Sequence, residues 1–78
     1  MSGVFATIVD SQFEPISDDF EVVDDRDLES VEDLAFAYAE SGYSCSITVY
    51  NALTAASRFW SPLGFTSDPF FYQGAIAA

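Results

Sequence analysis

The chain has 78 residues, half of them hydrophobic and 17% aromatic. That is too apolar for a disordered chain and long enough for one domain, residues 1–78, near the lower size at which a core holds a fold unaided. Thirteen Asp and Glu against two Arg, with no His, give a net charge of −11, which repels DNA, RNA and anionic lipid and attracts proteins that bind such polyanions. Cys45 is the single cysteine, so an intramolecular disulfide and a cysteine zinc cluster are excluded.

Val4 to Val9 (VFATIV) is β-branched and aromatic and reads as a strand. Asp10 to Asp19 (DSQFEPISDD) carries turn chemistry around Pro15. Phe20 to Val23 (FEVV) reads as a second short strand, antiparallel to the first, and Asp24 to Glu29 leads out of it. A helix is predicted from Val31 to about Ser41. Ser30 is its N-cap with Asp33 three residues on, and Gly42 stands where a left-handed residue ends the helix. Val31, Leu34, Ala35 and Tyr38 form one apolar stripe, and Glu29, Glu32 and Asp33 crowd the first turn, where negative charge complements the helix dipole.

Cys45 to Tyr50 (CSITVY) alternates as a strand and is expected near the middle of the sheet. Ala52 to Trp60 is expected to form a second short helix opened by Asn51, with an edge strand at Ser57 to Trp60 as the alternative. After Pro62 the chain reads LGFTSDPFFYQGAIAA, where Pro69 breaks any helix and Phe70 to Tyr72 are the candidate last strand. The expected fold is α+β: a three- to four-stranded antiparallel sheet packed by one main helix.

The charge is unevenly placed. Residues 1–40 hold twelve of the acids and Arg26, whereas residues 41–78 hold only Asp68 and Arg58. The densest run is Asp18 to Asp33. On extended chain alternate residues lie roughly 6.6 Å apart on one face, the order of the spacing between neighbouring phosphates, and Asp25, Asp27 and Glu29 have that alternation. Duplex DNA is read largely through phosphates by Arg and Lys, so Glu21, Asp24, Asp25, Asp27, Glu29, Glu32 and Asp33 are the candidate partner-binding residues. An acidic run is more often a merely solvated face. Here a strand and a capped helix flank it, and holding like charges together costs stability. Halophilic adaptation would spread acids over the whole chain, which the neutral second half does not do.

Other chemistries find less support. Asp25-x-Asp27-x-Glu29 imitates the start of an EF-hand loop, but Ser30 replaces the required Gly and Phe36 the bidentate Glu. No metal or cofactor is therefore expected. Without His there is no ready general base, Cys45 sits in an apolar strand, and an enzyme is not expected. Phe59, Trp60, Phe65, Phe70, Phe71 and Tyr72 read first as core. Trp60, Phe70 and Phe71 become interface anchors if exposed, and a homodimer would add stability.

In its short length, its acidic run from Asp18 to Asp33 and its lack of a catalytic motif, the chain resembles the small acidic anti-CRISPR and anti-restriction proteins of phages and mobile elements. Several of these are DNA mimics. The resemblance is one of class, and it implies an inhibitor that occupies the basic DNA path of a bacterial defence complex, without itself binding nucleic acid. The start, Met1 to Asp10, has no basic leader, and no apolar stretch is long enough for a bilayer, so the expected setting is the host cytoplasm. Two alternatives stay open: an immunity partner plugging a basic toxin or nuclease, and a small oligomerising structural protein.

Overall fold

A computed structural model describes residues 3–61 and 63–72. Its elements in chain order are β1 (Val4–Asp10), β2 (Phe20–Glu21), α1 (Asp25–Glu40), β3 (Cys45–Asn51), β4 (Ala56–Ser61) and β5 (Gly64–Thr66). The fold is α+β, and the sheet has five antiparallel strands in the order β2-β1-β3-β4-β5. It is thus wider than the three or four strands expected.

Register decides which side chains meet the helix. Ala6 pairs with Val49 and Ile8 with Ile47, Ile47 pairs with Trp60 across the next ladder, and Trp60 pairs with Phe65. Directly opposed residues point to the same side of a sheet, so these side chains form one face. Leu28, Val31, Ala35 and Ala39 cover it, and with Cys45 and Tyr72 they complete the buried core. Ala6 and Ala35 are fully buried; their small side chains let helix and sheet approach closely. The Cys45 thiol donates to the Ala35 carbonyl at 3.4 Å. On the other side of the sheet Phe13 lies over Phe59 and Phe71, with ring centroids 6.1 and 6.0 Å away.

Helix α1 starts six residues earlier than the sequence suggests. Asp24 is the N-cap: its carboxylate accepts from the Arg26 N–H, and the N3 residue Asp27 reaches back to complete a capping box. Ser30 lies inside the helix, where its hydroxyl donates to the Arg26 carbonyl at 3.1 Å. Both Asp24 and Ser30 begin a cap-x-x-acid pattern. The earlier one prevails because the added turn buries Leu28.

The helix ends where expected. Gly42 has φ +99°, its N–H donates to the Ala39 carbonyl, and the Tyr43 N–H donates to the Tyr38 carbonyl. These two bonds make a Schellman motif.

Residues 52–60 are not helical. Asn51 does not cap a helix: its side-chain oxygen accepts from the Leu53 N–H, shaping a turn that Ala55 closes at φ 56°. The chain then returns as β4 beside β3, so the alternative reading of Ser57 to Trp60 as a strand holds, although β5 outside it makes β4 an interior strand rather than an edge. This outer neighbour, β5, is a strand for which the sequence carries no expectation. Phe70 to Tyr72 contribute one bridge, Tyr72 to Cys45, rather than a strand.

A side chain added at Gly42 meets nothing within 4 Å, so its cost is conformational. Gly42→Ala is expected to lose about 1–2 kcal/mol and Gly42→Asn clearly less, as read by urea denaturation.

Candidate functional site

The acids from Asp25 onward stand on α1, so their spacing is helical rather than extended. At about 100° per residue, Asp25, Glu29, Glu32, Asp33 and Glu40 fall within an arc of about 100°. Residues four apart rise about 6 Å along the axis, so Asp25, Glu29 and Asp33 keep the interval expected for an extended row while reaching it by a different geometry. All three are exposed, as is Glu40. The core-facing residues Leu28, Val31, Ala35 and Ala39 centre about 100° away around the helix, so the stripe lies on the exposed flank of α1 on its β4 side, with Glu32 at the edge of the core.

The remaining predicted residues do other work. Asp27 lies about 160° from Asp25 around the helix, on the flank facing β2. Its Oδ2 accepts from the Val23 N–H at 2.7 Å and the Asp24 N–H at 3.3 Å. Asp24 serves as the cap. Glu21 is exposed on β2 and shares with Asp19 and Asp27 the lining of a groove of about 330 Å³ between β2 and α1. The seven candidates therefore do not form one row: Asp25, Glu29 and Asp33 share the exposed stripe with Glu32 at its inner border, and Glu21 and Asp27 face the other flank. Among the described residues, no group of three or more His, Cys, Asp or Glu is placed to hold a metal ion.

Glu32 has a distinct role. It is half-buried, and its Oε2 accepts from Trp60 Nε1 at 3.0 Å and from the Tyr72 hydroxyl at 3.4 Å. One carboxylate thus ties helix, sheet and C-terminal segment together. Burial, and then the negative charge and hydrogen bond of Glu32, hold the Tyr72 phenol well above its ordinary pKa. Burial likewise pushes the Cys45 thiol up, away from the thiolate a nucleophile requires.

Phe36 lies within the arc of the stripe, between Glu32 and Glu40, and other aromatic rings border it on this side. Phe36 packs edge-on to Tyr72 at 4.7 Å, Phe70 meets Tyr72 at 5.4 Å, and Trp60 meets Phe65 at 5.0 Å. Of the anchors considered from sequence, Phe70 is exposed, while Trp60 and Phe71 are half-buried. Phe36, Phe65 and Glu40 were not singled out as contact residues. The spacing Glu32, Phe36, Glu40 carries the signal for two of them once the helix is known to start at Asp25.

No family model matches the chain, and no curated protein or solved structure matches it.

Glu32→Ala leaves the buried Tyr72 hydroxyl and the half-buried Trp60 N–H without their acceptor and should cost about 1–3 kcal/mol, whereas Asp33→Ala on the exposed stripe should change stability by no more than about 0.5 kcal/mol. Chemical denaturation separates them. Tyr72 also predicts an alkaline limb. Unfolded, it ionises near 10.0, but folded it stays protonated to higher pH. Its contribution is therefore complete below the unfolded value and is lost as pH rises through the folded one. In Tyr72→Phe the decline of stability above pH 10 should be shallower, measured against the parent protein.

Proposed function

We propose that this protein is an inhibitor whose acidic helix face engages the basic DNA-binding surface of another macromolecule, in the manner of a DNA mimic. The observation that carries the reading is that Asp25, Glu29, Asp33 and Glu40 project from one exposed face of a helix capped at both ends. A flexible acidic tail would lose conformational entropy on binding, while side chains on a capped helix are partly pre-organised. Rows of carboxylates about 6 Å apart along the axis offer Arg and Lys the kind of anion that a phosphate backbone offers. The class resemblance points to a CRISPR effector or restriction enzyme of a bacterial host as that partner. The protein itself, at −11, is repelled by nucleic acid.

The aromatic rings beside the stripe favour a second reading, an immunity-type partner that plugs the active site of one basic toxin or nuclease. Phosphate mimicry has no need of exposed Phe side chains.

The decisive substitutions leave the capping box intact. Asp24→Ala or Asp27→Ala would remove a cap and cost about 1 kcal/mol, which confuses contact with stability. Asp25→Lys, Glu29→Lys and Asp33→Lys combined should abolish low-salt capture of a partner from bacterial lysate without changing the circular dichroism spectrum. The partner captured by the parent protein should be released by duplex DNA. A partner that DNA fails to displace would rule out mimicry and select plugging, and undiminished capture by the triple variant would discard the stripe as the contact.

A further inference from the structure

We infer that the acidic stripe is one half of a composite contact, whose other half is the aromatic patch of Phe36, Phe65 and Phe70, and that the partner's basic surface carries an apolar side chain seated between Phe65 and Phe70. The inference rests on the acidic-contact reading and adds the chemistry of the partner to it.

The patch and the stripe are physically continuous. Phe36 stands on α1 one turn beyond Glu32 and Asp33, and its ring meets Tyr72, which also meets Phe70. Through Glu32, Tyr72 is joined to Trp60, whose ring meets Phe65. Phe36, Phe65 and Phe70 are 42%, 46% and 41% exposed, so each leaves much of its ring in water although the core is close by. Phe65 and Phe70 line a groove of about 330 Å³ together with Leu63, Pro69 and Asp68, room enough for an apolar side chain. On its other side Phe65 borders a second groove that contains Arg58, whose guanidinium carbon lies 5.7 Å from the ring centroid.

Charge selects the occupant. Glu32, Asp33 and Glu40 flank Phe36 on α1, and Asp68 adds a carboxylate to the groove itself; these outnumber Arg58 on the far side of Phe65, so the approaching surface is cationic at its edge. A bare row of arginines would leave the rings wet, and a purely apolar surface would desolvate the acids. A basic surface with an embedded apolar anchor satisfies both. This division matches interfaces in which aromatic pockets supply the affinity while charges steer the encounter.

The test uses the intact chain and two synthetic peptides of equal length and arginine content, one interleaved with leucine and the other with serine. Calorimetry at low salt should give about tenfold tighter binding of the leucine peptide, the size of effect one well-seated anchor produces. That advantage should persist at high salt, where the serine peptide is lost. Phe65→Ser combined with Phe70→Ser should bring the ratio close to one, and Tyr50→Ser, on the opposite face of the sheet, should leave it unchanged. Should the double variant lose its fold, the single tryptophan of the parent protein provides the readout, because Trp60 lies against Phe65: its fluorescence should respond to the leucine peptide and not to the serine peptide. Equal binding of the two peptides, a preference equally sensitive to Tyr50→Ser, or a tryptophan signal blind to leucine overturns the composite contact while leaving the acidic contact standing. Binding of neither peptide at low salt overturns both.

Discussion

The capping box of Asp24 and Asp27 fixes where α1 begins, and with it the display of every acid that follows. Had the helix started at Val31, Asp25, Asp27 and Glu29 would lie along extended chain on one side. With the cap at Asp24 they are wound onto the first turns, and Asp27 turns away from the other two. The cap also brings Leu28 into the core, so an arrangement of surface charge is coupled to burial of an apolar side chain. Asp24 and Asp27 are carboxylates with structural employment, and their presence in the acidic run inflates its apparent functional content.

The stripe they leave behind is under electrostatic tension. Asp25, Glu29 and Asp33 are like charges four residues apart, an arrangement that weakens a helix by a few tenths of a kcal/mol per pair. Two features offset it. Asp25 and Asp27 sit in the first turn, where the positive end of the helix dipole favours them. Glu32 takes two hydrogen bonds from Trp60 and Tyr72, which turns one of the crowded charges into a tie between helix and sheet. The tension falls on those carboxylates that have no such employment.

Much of the fold was legible because its signals were local. β1 and β3 are runs of β-branched residues, the helix ends at a glycine in the left-handed region, and Val31 and Ala35 occupy the buried stripe that their spacing predicts. The helix start was misplaced because Ser30 and Asp24 both offer a plausible cap, and the choice between them is made by Leu28 meeting the sheet, a tertiary event. The segment from Ala52 to Trp60 was misread because Asn51 shapes a turn as readily as it caps a helix, and the pairing of β4 with β3 outweighs local preference. β5 escaped notice since three residues carry too little pattern to register. Of the candidate site, Asp25 and Glu29 are picked out by a spacing that belongs to strands, whereas Asp33 is placed on the helix from the start. Phe36 and Glu40 join them only once the helical period is applied from Asp25 onward.

The two outermost strands are the shortest, with two residues in β2 and three in β5, whereas the long ladders of β1 and β3 are enclosed. Exposed backbone at the rim of a sheet invites fibril growth, and apolar, aromatic sequences are the most prone to it. Where β4 runs beyond its short neighbour it carries Arg58, a charged gatekeeper of the kind that interrupts such stacking. A chain rich in aromatic residues thus presents, at the ends of its sheet, little template on which further copies could polymerise.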